Sequence, residues 1–117
     1  MVRKYLYSTS KNLRRKEKGS IKLWIDDVRP APDGYIWALS VISAKNDILR
    51  YERMGEPLEL IDIDHDAGEY GPPDYIKILD WLEETGRNYP IHIHSANPVG
   101  IANMRRIIKR NGWKEIV

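Results

Sequence analysis

Cysteine is absent from the 117 residues. That excludes disulfides and thiolate chemistry, and it removes the usual ligand of a zinc site. Long apolar runs are absent too. Stretches such as residues 36–42 fall far below the roughly 18 residues that a membrane-spanning helix needs. The first 20 residues carry seven basic side chains and no apolar central region, a pattern unlike a secretory signal peptide. A cytoplasmic location is the expectation, with no membrane association. Internal repeats and low-complexity segments are also missing. With 42% apolar and 31% charged residues, the composition fits one globular domain rather than a disordered or fibrous chain.

The net charge of +2 conceals an asymmetry. Residues 1–20 hold Arg3, Lys4, Lys11, Arg14, Arg15, Lys16 and Lys18 against Glu17 alone, so residues 21–117 are net acidic. The division expected is a basic N-terminal arm, 1–20, followed by one α/β domain, 21–117. Such an arm can attract nucleic acid or be a solvated tail. No aromatic side chain is interleaved between Lys11 and Lys18, so base-stacking residues of a single-strand binder are missing there.

After the arm, strand and helix signals alternate. Residues 21–25 form a compact apolar run ending in two aspartates, and Arg29 to Gly34 is turn chemistry. Residues 35–42 read as a second strand, rich in aromatic and β-branched side chains. Ser43 is placed to cap a helix with Ala44, Ile48 and Tyr51 on one face, stopped by Gly55. A third strand is expected over 58–63 and a polar turn from Gly68 to Pro73. Asp74 opens a helix with Tyr75, Ile78, Leu79 and Leu82 at helical spacing, closed by Gly86. A fourth strand over 91–94 precedes Asn97-Pro98, a helix-start signal. Ile101, Met104, Ile107 and Ile108 form the stripe of that helix, and residues 113–117 read as a short last strand. The alternation predicts a three-layer α/β fold with a mainly parallel sheet.

In such sheets ligands bind beyond the carboxyl ends of the strands. The first strand ends in Asp26-Asp27, the third in Asp64-His65-Asp66, and the fourth in His94-Ser95 before Asn97. Acids, two histidines and a hydroxyl from three distant segments thus share one rim. Turn formers and caps account for single residues of this kind; the concentration points to a site.

These residues also carry a likeness. The segments Leu23-Trp-Ile-Asp-Asp-Val-Arg-Pro-Ala-Pro-Asp-Gly34, Asp64-His-Asp-Ala-Gly68 and His94-Ser-Ala-Asn-Pro-Val-Gly100 resemble the cyclic-phosphate processing receiver-like domain of bacteria. The resemblance covers about residues 21–117 and implies a receiver/flavodoxin-like fold. It implies binding or processing of cyclic phosphates, including those at RNA ends. Against ordinary response-regulator receivers, Asp26 and Asp27 resemble the acidic pair that holds Mg²⁺, Asp64 the phospho-accepting aspartate, and Ser95 the hydroxyl position after the fourth strand. Two features differ. The usual final helix is lacking, and Lys114 does not replace the receiver lysine. The segment between the first two strands is also too short and proline-rich for the usual first helix. His65 and His94 are additions to that pattern.

The residues suggest roles of their own. Hard cations take oxygen ligands, so Asp26, Asp27 and Asp64 are candidates to hold Mg²⁺ or Mn²⁺, either aspartate of the adjacent pair being free to act behind the other. Asp66 is expected to order the turn to Gly68. The helix start at Asn97 offers backbone N–H groups to an anion, with Ser95, Asn97 and Gly100 as phosphate-binding candidates. Arg29 clamps a phosphate oxygen or pairs with a rim aspartate. His65 and His94 are candidates for the acid and base of phosphate-ester opening, with structural hydrogen bonding as the alternative. Neither His92 nor His94 is followed two residues later by Thr or Ser, unlike the two-histidine phosphoesterases. Asp62 and His92 lie on the same strand faces as Asp64 and His94 and are expected to pair one layer below. Among the tryptophans, Trp37, with Tyr35, is the one placed to stack on a nucleotide. The favoured function is a divalent-metal-assisted phosphoesterase or cyclic-phosphate processor acting on a nucleotide or an RNA terminus, so the expected partner is a phosphorylated small molecule or an RNA terminus. Its rivals are a non-catalytic sensor of such a ligand and an atypical phospho-acceptor.

Overall fold

The computed structural model describes residues 21–66 and 74–117. The basic arm and the polar turn from Gly68 to Pro73 lie outside the described residues. Strand β1 is Lys22–Ile25, β2 Tyr35–Ala38, β3 Leu60–Ile63 and β4 Ile91–Ile93; helix α1 is Val41–Arg53, α2 Ile76–Glu84 and α3 Pro98–Asn111. All three strand pairings are parallel, in the order β2-β1-β3-β4. This is a receiver/flavodoxin-like α/β arrangement.

Period-two alternation sorts the strand residues. Leu23, Ile25, Ile61, Ile63 and Ile91 are buried in one apolar core with Ala44 and Ile48 of α1, Ile78, Leu79 and Leu82 of α2, and Met104, Ile107 and Ile108 of α3. The crossovers from β2 to β3 and from β3 to β4 run the same way along the sheet, so right-handed connection places α1 and α2 on one face. Helix α3 docks beside them, with Arg110 and Asn111 bonded to Glu83 of α2. The described residues therefore build two of the three expected layers. The opposite face presents Lys22, Trp24, Tyr35, Trp37, Asp62 and His92.

Several boundaries shift for local reasons. The second strand stops at Ala38, because Ser40 caps α1 and Ser43 completes a capping box with it; Ser43 is thus the third helical residue, not the cap. Helix α2 begins after Tyr75, without a side-chain cap bond. Asn97 caps α3 as expected, Pro98 opens it, and Gly112 ends it in the left-handed conformation at φ 68°. The expected fifth strand is reduced to one parallel bridge, Ile91 to Glu115, so the last strand of the sheet is followed by a helix. No helix follows that bridge among the described residues. None of the described helices is long and apolar enough to cross a membrane.

Leu79 is fully buried between sheet and helices. Leu79→Ala is expected to destabilise the domain by about 2–5 kcal/mol, the lost transfer energy plus a cavity. Urea unfolding followed by circular dichroism measures it.

Candidate functional site

The site is organised around Asp26, at the end of β1 and fully buried. Its Oδ1 accepts the backbone N–H groups of Val28 at 2.8 Å and Arg29 at 3.1 Å. Its Oδ2 accepts Arg29 Nε at 3.1 Å and faces His94 Nε2 at 3.0 Å. Burial pushes the Asp26 carboxyl up, but the two backbone N–H groups and His94 outweigh it and hold the group below its usual range. The backbone carbonyl of Asp26 accepts the Trp37 indole N–H at 2.7 Å. Arg29 reaches a second carboxylate, Asp64 Oδ2, at 3.5 Å. Of the two roles open to Arg29, the structure contains the salt bridge to rim aspartates.

His94 leaves the end of β4 and lies across β3. Its Nδ1 sits 2.6 Å from Asp62 Oδ1, and its ring stacks on Trp24 with centroids 3.7 Å apart and planes 4° from parallel. Both ring nitrogens face carboxylate oxygens. A neutral imidazole has one N–H, whereas the imidazolium has two, so both contacts are satisfied as donors only in the doubly protonated ring. Asp62 also takes His92 Nδ1 at 2.8 Å, and Tyr35 Oη approaches its other oxygen at 3.5 Å. Burial raises the Asp62 carboxyl, and hydrogen bonds from His94 and His92 more than offset that. The expected pairing of Asp62 with His92 across neighbouring strands is present, and their Cα positions are in register.

A second carboxylate–histidine pair stands beside the first. Asp66 Oδ1 lies 2.8 Å from His65 Nδ1 and accepts Asn97 Nδ2 at 3.2 Å. The bond to His65 is the main cause that lowers the Asp66 carboxyl. Asn97 Oδ1 caps α3 by accepting the Gly100 N–H at 3.0 Å, and Ser95 Oγ accepts the Asn97 N–H at 3.2 Å. These three phosphate-binding candidates are thus committed to the helix start. Gly100 has a further reason to lack a side chain, since an added Cβ would lie 2.4 Å from His65 Cγ. Asp64 Oδ1 accepts the His65 backbone N–H at 2.8 Å, and its Oδ2 meets Arg29, which is bonded to the Asp26 carboxylate that faces His94.

The three carboxylates expected to hold a metal do converge, around Tyr75. Its phenol donates to the Leu39 carbonyl at 2.6 Å. It is pushed well above its ordinary value by burial first, and then by the charges of Asp27, Asp26 and Asp64. The donor capacity of the three is unequal. A carboxylate oxygen offers about two lone-pair positions, and Asp26 has both oxygens doubly engaged. Among the described residues, each Asp64 oxygen has one such partner, the His65 N–H on Oδ1 and Arg29 on Oδ2. By donor count among the described residues, Asp64 has more room for a divalent cation than Asp26.

Sequence reasoning did not assign site roles to Tyr75, to the Trp24 stack, or to Asp74. Asp74 offers a carboxylate oxygen that, with those of Asp66 and a ring nitrogen of His65, falls in a group within 4.8 Å of one another. Its sequence position marks it as a helix opener, and its proximity to His65 and Asp66 emerges only in the fold.

Two outcomes follow. Asp26 and Asp62 titrate below their ordinary value of 3.8 in the folded protein, so the unfolded chain takes up these protons first. Stability is fully present above that value and is lost as pH falls through the lowered folded values. Urea titrations between pH 6 and pH 2 are expected to show that loss, and Asp62→Asn to make it shallower. Gly100→Ala should gain up to about 1 kcal/mol of helix propensity yet destabilise the domain, because His65 must move. Thermal melts read the sign, and the shifted His65 ring resonances report the displacement.

No curated protein and no solved structure matches this chain. A family match is present over residues 21–110, which include Asp26, Arg29, Asp62, Asp64, His65, His94 and Asn97. The chain belongs to the family of the cyclic-phosphate processing receiver domain.

Proposed function

We propose that this domain is a phosphoesterase that opens a cyclic phosphate diester on a nucleotide or RNA end. The observation that carries the reading is the pair of carboxylate–histidine couples on one rim, Asp62–His94 and Asp66–His65. Ring opening needs a base for water and an acid for the departing alkoxide. Asp62 holds Nδ1 of His94 and Asp26 holds Nε2, so His94 acts as the acid by redirecting its Nε2 proton from Asp26 Oδ2 to the departing alkoxide. His65 takes a proton from the attacking water. The water oxygen bonds to phosphorus, one ring P–O ester bond breaks, and the alkoxide leaves with the His94 proton as a hydroxyl. The product is a phosphate monoester. Arg29 supplies a planar, bidentate donor to the non-bridging phosphate oxygens. Mg²⁺ or Mn²⁺ held by Asp64 and Asp27 would, when bound, polarise a phosphate oxygen, with Asp26 fixing Arg29 and His94 behind them. The basic arm adds a salt-dependent attraction for RNA, and the site of action is the cytoplasm.

A non-catalytic reading draws on one observation: Asp26 is saturated and Arg29 already bridges it to Asp64. A sensor built this way, or an acceptor phosphorylated at Asp64, would bind or be modified without turnover.

A ³¹P NMR assay separates these. The full chain is mixed with 2′,3′-cyclic nucleotides, a cyclic-phosphate-ended RNA oligomer and a linear phosphomonoester, with Mg²⁺, Mn²⁺ or EDTA. Loss of the cyclic signal with appearance of a monoester is expected, slowed roughly 100-fold or more by His94→Gln and losing its metal response in Asp64→Asn. Turnover that both variants leave intact overturns the assignment. Ligand-induced thermal stabilisation without turnover moves the function to the sensor, and a phosphoryl group gained from acetyl phosphate and lost in Asp64→Asn moves it to the acceptor.

A further inference from the structure

The sheet face opposite the helices carries an indole that is both exposed and fixed. Trp37 is 46% exposed, an unusual condition for the largest apolar side chain on a strand. It is not a loose surface residue. Its Nε1 donates to the Asp26 carbonyl at 2.7 Å, which sets the orientation of the ring. It stands in register with Trp24 of β1, the residue on which His94 stacks. Val28, 72% exposed, is tied to the same residue through its N–H on Asp26 Oδ1 at 2.8 Å.

Asp26 is therefore a junction. Its main-chain oxygen holds a flat apolar surface, and its carboxylate holds Arg29 and His94, the two groups that face phosphate in the proposed function. A ligand lying across this junction presents an anion at one end and a planar aromatic system at the other, with a short polar spacer between. A nucleotide has that layout.

We infer that Trp37 forms a nucleobase-stacking subsite, so that the ligand is a nucleoside cyclic phosphate and not a base-free sugar phosphate. The inference rests on the phosphate position of the proposed function and adds the recognition of the base. Every base has a π-face, and stacking on an aromatic side chain is tolerant of base identity. A single fixed indole with no donor or acceptor left to read a base edge thus selects for the presence of a base rather than for its identity.

Isothermal titration calorimetry on the full chain tests this with two probes: adenosine 2′,3′-cyclic phosphate and 1-O-methylribose 2,3-cyclic phosphate, which lacks the base. The immediate binding heat is separable from any slower heat of hydrolysis. The wild-type chain is expected to bind the adenosine probe roughly tenfold or more tightly than the base-free one. Trp37→Leu should erase that difference while leaving the base-free affinity unchanged, and Trp37→Phe, which keeps an aromatic face, should retain most of it. Cytidine and adenosine cyclic phosphates should bind within a few-fold of each other. Equal wild-type affinity for the two probes overturns the subsite and leaves the phosphate reading standing. A Trp37→Leu variant that weakens both probes alike shows a structural role through Asp26, which also overturns it. Failure of both probes to bind removes the phosphate reading and the subsite together.

Discussion

A carboxylate with no exposure to water is costly, by several kcal/mol for the ion, unless hydrogen bonds replace its solvation shell. Asp26 is such a group, and its four donors dictate much of what surrounds it. Two come from the next turn, which must fold back at Val28 and Arg29 instead of running on as a strand. The third brings the Arg29 guanidinium down onto the rim, where it also meets Asp64. The fourth comes from His94, more than sixty residues away in sequence, and it draws that ring over β3. One buried charge therefore couples the exits of β1 and β4, which are not neighbours in the sheet. Removing the carboxylate would leave a guanidinium and an imidazole short of a partner as well as a turn short of its acceptor.

The handedness of chain connections explains why the site extends from the rim onto the sheet face. The step from β1 to β2 runs along the sheet in the direction opposite to the steps into β3 and β4. A right-handed crossover there would set its helix on the face that α1 and α2 do not cover. The nine residues between the strands include Pro30 and Pro32 and form turns, so no helix from this connection occupies that face. Polar residues can then stand at central strand positions. Asp62 and His92 alternate with Ile61, Ile63, Ile91 and Ile93, each isoleucine facing the core and each polar residue the other side. The candidate site is thus two layers deep, with His94 and Asp64 above and His92 and Asp62 below.

Much of this was legible in the sequence, for reasons that also mark the limit. Helices α2 and α3 announce themselves through apolar spacing and, for α3, through the Asn97-Pro98 start. The partnership of Asp62 with His92 follows from period-two geometry once β3 and β4 are neighbours. Val41 and Ile42, by contrast, read as strand from their β-branched side chains, whereas the Ser40–Ser43 capping box commits them to α1. The trailing residues 113–117 carry strand-like side chains, yet they pair with β4 through a single bridge, in which Ile91 donates to the Lys114 carbonyl and accepts the Ile116 N–H. Within the site, residue identity was readable and side-chain direction was not. Nothing in the segment 91–97 says that His94 lies flat on Trp24, since that depends on strand order and on a rotamer. The commitment of Asn97, Ser95 and Gly100 to one helix start is likewise a matter of hydrogen-bond geometry. The same residue types would have served an anion.

The charge balance of the rim constrains how any phosphate could enter. Asp26, Asp27, Asp62, Asp64 and Asp66 gather there, and Arg29 is the guanidinium bridging two of them. A phosphate arriving with this pattern unchanged would meet more negative than positive charge. If Arg29 turned towards the phosphate, its contact with Asp64 at 3.5 Å, longer than those it makes with Asp26, would be the first to yield. Asp64 would then gain a further oxygen position for a cation at the moment an anion arrived. Phosphate and divalent cation would accordingly favour each other's binding, and by linkage each would raise the other's affinity by the same factor. The half-exposed Arg29 side chain is free to make that movement, while the buried Asp26 and stacked His94 are not, which places the adjustable element on the arginine and the fixed reference on the carboxylate and the imidazole.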